Sequence, residues 1–170
     1  MDKLIKEAKK GNAEAFTELI HLQTQSMYKT SWAILHQEED VADAISETIL
    51  TCWEKIGQLK QDKYFRTWLI RILINKCNDI LRKREMLLFA DEIPEISIMD
   101  NNFENFEWKE VLNSLSERYR LVIILYYVEG FKTSEISQML DMPESTVRTR
   151  LARGREQLGN IYTFERRETV

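Results

Sequence analysis

Residues 133–158 read TSEISQMLDMPESTVRTRLARGREQL, and the reading of this stretch decides the fold class. Thr133 to Leu140 reads as a short helix, Asp141-Met142-Pro143 as a turn, and Glu144 to about Leu158 as a longer helix. Two helices joined by so tight a turn make a helix-turn-helix. On a helical wheel with Val147 at zero, Leu151 falls at about 40°, Gly154 at about 340° and Leu158 at about 20°, which is one inward stripe. Ile136, Met139 and Leu140 supply the apolar side of the first helix. The outer half of the second helix carries Ser145, Arg148, Thr149 and Arg153, with Arg150 at the flank, where a brace to Glu135 is expected.

An arginine fork pairs bidentately with a guanine edge or a phosphate, and a Ser or Thr hydroxyl contacts either. The outer half therefore has the chemistry of a DNA-reading face. Arginines are also common on solvated helices, so it is the short preceding helix and the tight turn that favour DNA.

Upstream the chain continues in helices. It has 170 residues, of which only two are proline and five glycine, so helix breakers are scarce. Asp2–Lys10 reads as a short charged helix stopped at Gly11, and Asn12 as the N-cap of a longer one carrying Phe16, Leu19, Ile20, Met27, Ser31 and Ile34. From about Glu38 to Ile56 the inward stripe is Val41, Ala44, Ile45, Thr48, Cys52 and Ile56. Glu39, Asp43, Glu47 and Glu54 lie opposite. Gly57–Tyr64 reads as a polar loop. Phe65 to about Arg84 is a helix with Trp68, Leu69, Ile72, Leu73, Ile80 and Leu81 as apolar positions. Nearer the C-terminus, Val111, Leu112 and Leu115 make a short helix. Ser116 caps the next one, with Tyr119, Val122, Ile123, Tyr126 and Tyr127 inward and Gly130 at its end.

The net charge of -4 is unevenly placed. Residues 1–84 hold fourteen basic against twelve acidic side chains, residues 85–110 one against eight, and residues 111–170 nine against eight. A local basic face matters more to DNA than the overall balance. The acidic middle, with Pro94 and no sustained helical period, reads as a linker. The expected organisation is all-α: a helical domain over 1–85, an acidic linker over 86–107 and a helix-turn-helix domain over 108–170.

Cys52 and Cys77 sit in apolar helical patterns without metal-ligand spacing, so they read as small core residues. His21 and His36 read as surface or packing residues. No metal site, cofactor-binding loop or activated nucleophile is expected, and so no enzyme. The charged start, Met1-Asp2-Lys3-Leu4-Ile5-Lys6, lacks a signal-peptide core, and no apolar run nears the ~20 residues that span a bilayer. A cytoplasmic protein without membrane insertion or an obligate homo-oligomer is expected.

Three groups of residues now carry a resemblance. Leu115-Ser116-Glu117-Arg118-Tyr119-Arg120, Glu129-Gly130, Glu135-Ile136 and Thr146 to Arg155 resemble region 4 of bacterial sigma factors. Asp40-Val41-Ala42-Asp43, Glu47-Thr48 and Trp53 resemble region 2.2. Phe65-Arg66-Thr67-Trp68-Leu69 with Arg71, Asn75, Asp79 and Leu81 to Arg84 resembles regions 2.3 and 2.4. The short chain is similar to the extracytoplasmic-function group (group IV) of that family.

The resemblance implies core RNA polymerase and promoter DNA as partners. It implies polymerase contacts at Asp40, Asp43, Ser46 and Glu47. It implies single-stranded -10 contacts at Lys60, Lys63, Tyr64, Arg66, Asn75 and Lys76, and duplex -35 contacts at Glu144, Ser145, Thr146, Arg148, Thr149, Arg150 and Arg153. It further implies a linker threading basic polymerase channels and a membrane-associated anti-sigma factor. Phe65, Trp68 and Trp53 read better as core residues than as base-stackers, and Asp79 as a partner of Arg82 or Arg71. The chain departs from the family pattern with Ser46 in place of Gln, Lys132 in place of a capping Ser or Thr, and Asp141 in place of Gly. Thr133 is expected to cap instead. Two rival readings stay open: a self-sufficient transcription regulator with the same helix-turn-helix, and a helical interaction module that binds no nucleic acid.

Overall fold

A computed structural model describes the backbone of residues 1–89 and 111–168, and side-chain burial for residues 1–86 and 111–159. The described residues form helices and turns, with no strand among them. Most of the linker reading, and the start of the second domain expected at residue 108, lie outside the described residues. Contacts divide the chain into two units, Met1–Lys83 with Gln138–Asp141, and Arg84–Ser137 with Met142–Val170.

The first unit contains α1 (Asp2–Lys9), α2 (Ala13–His21), α3 (Thr24–Leu35), α4 (Glu38–Lys55) and most of α5 (Phe65–Phe89). Gly11 ends α1 in the left-handed region, at φ 88°, and Asn12 caps α2 by accepting the Ala15 N–H at 3.0 Å. The single long helix expected after Asn12 is broken at Leu22-Gln23, giving α2 and α3. The break faces the chain inward twice, so Phe16, Leu19 and Ile20 are buried on α2, and Met27, Trp32, Ala33 and Leu35 on α3. α3 ends at His36, itself left-handed at φ 57°.

On α4 the expected stripe is inside: Val41, Ala44, Thr48 and Cys52 are buried and Ile45 half-buried. The polar loop after it is more ordered than its composition suggests. Two 3₁₀ turns, Ile56–Gln58 and Asp62–Tyr64, flank a buried Leu59. α5 buries Phe65, Leu69, Ile70, Leu73, Ile74 and Cys77. Trp68, Ile72, Ile80 and Leu81 are only half-buried, so the stripe is turned by about one residue from the expected one. Each fully buried aliphatic contributes about 1.5–3 kcal/mol relative to exposure, which favours the register burying the continuous Leu69–Ile70 and Leu73–Ile74 pairs.

The second unit contains a helical segment at 111–113, α6 (Glu117–Ile123), α7 (Thr133–Leu140) as far as Ser137, and α8 (Glu144–Glu168). Ser116 stands at the start of α6, but its side chain makes no capping bond. Instead the Ser116 N–H donates to Gln157 Oε1 at 3.3 Å. The buried Arg120 closes the preceding segment, donating from Nε to the Leu112 carbonyl at 2.8 Å and from Nη2 to the Leu115 carbonyl at 2.9 Å. After Ile123 the helix widens into a π-turn, Ile124–Val128, in which the Glu129 N–H reaches the Ile124 carbonyl at 2.9 Å. The wider pitch shifts the register. Ile124 and Leu125 go inside, while Tyr126, Tyr127 and Val128 are exposed, contrary to the inward placement of the two tyrosines expected from a regular helix. Gly130 reverses the chain at φ 73°, and the Phe131 N–H closes onto the Leu125 carbonyl at 2.9 Å.

Candidate nucleic-acid interface

α7 begins at Thr133, which puts Lys132 at the cap position. Its N–H donates to Glu135 Oε2 at 2.9 Å, the backbone half of a capping box. Thr133 does not cap as expected. Its hydroxyl donates to Glu144 Oε1 at 2.6 Å, and so ties the start of α7 to the start of α8. The turn closes through Ser137 Oγ donating to the Met142 carbonyl at 2.6 Å. Asp141 takes the left-handed conformation at φ 50°, the role expected of it in place of glycine. Pro143 sits just before α8, and its carbonyl accepts from Thr146 at 2.9 Å and Val147 at 3.2 Å.

α8 runs to Glu168, beyond the expected end at Leu158. Its inward stripe is the expected one: Val147, Leu151 and Gly154 are buried and Leu158 half-buried. A Cβ at Gly154 would stand 2.8 Å from Ile123 Cγ1 and 2.9 Å from Ile123 Cδ1, so glycine sets how closely α8 approaches α6. Ser145, Arg148, Thr149 and Arg153 are exposed. Glu144, Thr146 and Arg150 are half-buried at the flanks. Arg148 pairs with Glu144 at 2.7 Å and Arg153 with Glu156 at 3.3 Å. The Thr133 hydroxyl first, then Arg148, hold the Glu144 carboxyl below its ordinary range.

A second exposed group lies on α4. Asp43, Ser46 and Glu47 face solvent, whereas Asp40 is half-buried. Beside them, Leu50 and Trp53 are exposed. Trp53 is thus less buried than expected, though one edge packs on Phe16 with ring centroids 5.0 Å apart. Phe65 is buried and Trp68 half-buried.

The third group is the loop between α4 and α5. Lys60, Lys63 and Tyr64 are exposed, with Lys63 over the Tyr64 ring at 4.8 Å, and Arg66 is half-buried. Asn75 is exposed on α5. Lys76 is half-buried, with its ammonium 3.4 Å from Glu47 of α4, so a residue expected at DNA and one expected at polymerase share an ion pair. Asp79 pairs with Arg82, as one of its two expected partners. Sequence reading missed Lys9. From α1 it donates to the Leu59 carbonyl at 2.7 Å and pairs with Asp62. A lysine some fifty positions upstream gives no local signal of such a contact.

The family profile described as Sigma-70 region 2 matches residues 24–86, and that described as Sigma-70, region 4, matches residues 106–158. Together they cover well over half of the chain. Among full-length relatives, the ECF RNA polymerase sigma factor SigW of Bacillus subtilis is 27% identical, over 92% of this chain and 93% of that protein.

The chain belongs to the sigma-70 family, in its extracytoplasmic-function group.

This sigma factor is also 26% identical to the ECF RNA polymerase sigma-E factor of Escherichia coli, over 92% of the chain and 91% of that protein. Its fold is that of the sigma factor RpoE solved with the anti-sigma factor NepR from Bartonella quintana. There the TM-score is 0.75 at 20% identity, covering 89% of this chain and 98% of that one. It is likewise that of CnrH solved with the cytosolic domain of CnrY, with a TM-score of 0.69 at 24% identity, covering 95% and 96%. Like its relatives, this sigma factor is a transcription initiation factor and not an enzyme. Among the described residues no helix is long and apolar enough to cross a membrane.

Proposed function

We propose that this sigma factor reads the -35 element of its promoters through the outer face of α8. The observation that carries this is the division of that helix: Val147, Leu151 and Gly154 are buried, while Ser145, Arg148, Thr149 and Arg153 are exposed together. Seated in a major groove, Arg148 and Arg153 exchange their carboxylate partners for guanine edges or phosphates. Glu144, Thr146 and Arg150 fix the approach from the flanks.

The outward face of α4 carries the polymerase contact, through Asp43, Ser46 and Glu47 with Asp40 behind them. Exposed acids on one face suit a basic partner surface. The loop from Gly57 to Arg66 receives the unstacked -10 strand. Lys60 and Lys63 meet phosphates, Tyr64 offers a ring to a base, and Arg66, Asn75 and Lys76 flank it. The domains are then 1–85 for polymerase and the -10 element, 86–107 for the linker and 108–170 for the -35 element. The protein works in the cytoplasm. It is held inactive by an anti-sigma factor at the membrane, a reading supported by the anti-sigma factor NepR solved with one structural neighbour and the cytosolic domain of CnrY solved with another.

Run-off transcription with core polymerase and promoters randomised at each element tests this reading. Arg148→Ala with Arg153→Ala is expected to lower transcription from promoters with an intact -35 element at least about tenfold and to flatten preference there, since each bidentate base contact carries about 1–3 kcal/mol of discrimination. Unchanged -35 preference in the double variant would overturn the assignment of α8. A self-sufficient regulator would bind duplex DNA tightly alone, whereas this sigma factor is expected to need polymerase.

A further inference from the structure

We propose that Lys9 is a positioning residue for promoter selectivity at the -10 element. α1 lies outside the stretch matched by the Sigma-70 region 2 profile, residues 24–86. Yet its last turn reaches the loop assigned to the -10 strand. The Lys9 ammonium donates to the Leu59 carbonyl at 2.7 Å and pairs with the Asp62 carboxylate, with both side chains 22% exposed. One cation thereby holds the Leu59 carbonyl, just after the first 3₁₀ turn, and the Asp62 carboxylate, at the start of the second. Partial burial shields the pair from solvent screening, unlike a pair on an open surface.

The loop alternates accordingly. Leu59 and Asp62 are turned toward the protein, while Lys60, Lys63 and Tyr64 stand outside. Asp62 directly precedes Lys63 and Tyr64, so fixing Asp62 and the Leu59 carbonyl fixes where the Lys63–Tyr64 pair is presented. Lys9 touches no nucleotide in this scheme. It removes freedom from the loop before the strand arrives, and a preorganised loop discriminates bases that a mobile one accepts. The inference rests on the reading that the Gly57–Arg66 loop receives the -10 strand.

The test uses the full chain with core polymerase on templates randomised at the -10 element. Lys9→Met keeps the stem length and removes the charge, Lys9→Arg keeps the charge, and Tyr64→Ala probes the loop itself. Lys9→Met is expected to reduce the preference for the best -10 sequence over single mismatches about fivefold, the scale of one modest hydrogen bond. Polymerase affinity and the -35 preference should be retained, and Lys9→Arg should restore most of the selectivity. If Tyr64→Ala changes -10 preference while Lys9→Met leaves it unaltered, the inference fails and the loop reading stands. If Lys9→Met weakens transcription from every template alike, Lys9 is merely structural and the inference also fails. If Tyr64→Ala, and a further Lys63→Ala variant made to probe the same loop, both leave -10 preference unaltered, the loop reading falls and the inference falls with it.

Discussion

Gly154 shows how much one hydrogen atom in place of a methyl group can decide. Alanine there would gain up to ~1 kcal/mol of helix propensity. Its Cβ would also meet the Ile123 side chain at 2.8 and 2.9 Å, and Ile123 is itself buried with little room to give. Overpacking of this kind costs about 1–3 kcal/mol, so the clash outweighs the propensity. Gly154→Ala is therefore expected to lower the thermal midpoint of the second unit by about 5 °C, as read by calorimetry. A stabilised variant would show that α6 and α8 can separate freely. Arg120 is another single point of failure. Arg120→Met takes the guanidinium donors from both carbonyls; Leu112 keeps the bond from the Leu115 N–H, so the cost falls on the Leu115 carbonyl, at about 1–3 kcal/mol for a buried group that loses its partner. Urea unfolding should register the loss.

The cysteines are quieter residues. Burial pushes the thiols of Cys52 and Cys77 up to about 12, so at pH 8 almost no thiolate exists. Thiol reagents are expected to label neither residue until urea unfolds the first unit. Rapid labelling of the native protein would contradict the packing of α4 and α5. This inertness was legible in the sequence, because both cysteines fall on apolar helical positions. The position of Lys9 was not, since a contact between residues 9 and 62 is made by the chain's route through three intervening helices.

Among the elements, the joint between α7 and α8 concentrates the electrostatics. Glu144 accepts from Thr133 and pairs with Arg148, and both contacts hold its carboxyl below the ordinary range. A carboxyl depressed in the folded state adds stability above its unfolded pKa, and that stability is lost as pH falls through the folded value. Glu144→Gln should therefore differ from the parent in thermal midpoint at neutral pH and converge with it in acid. A difference that persists unchanged in acid would assign the effect to something other than the charge.

The helix-turn-helix itself was readable because its apolar residues recur at 3.6-residue spacing and its turn demands particular residue types. The placement of Tyr126 and Tyr127 was not readable. A π-turn adds one residue to the pitch, and no periodicity rule anticipates where it will fall. The same limit explains α5. Its apolar residues are dense enough to satisfy two neighbouring registers, and only packing chooses between them. Likewise Leu22-Gln23 carries no proline or glycine to announce the break between α2 and α3.

At the scale of the molecule, the exposed face of α8 proposed to read the promoter and the acids of α4 proposed to meet polymerase belong to different units of one chain. The charge follows the same division, with acidity gathered between two mildly basic flanks. A modest basic face is expected to give only weak duplex binding by itself, because affinity grows with the number of phosphates neutralised. Polymerase then supplies the missing affinity, and the sigma factor supplies the choice of site. The family-level identity was legible from motifs spread over both halves, whereas the ion pair between Glu47 and Lys76 required the fold to bring α4 and α5 together.

The central claim is best tested by reconstituted transcription from a promoter library, comparing core polymerase alone, with this chain, and with its Arg148→Ala/Arg153→Ala variant. The account predicts initiation that depends on the chain, from templates sharing one -10 and one -35 element. In the variant, the -35 preference should be lost while the -10 preference remains. No chain-dependent initiation on any template, together with tight duplex binding by the chain alone, would contradict it.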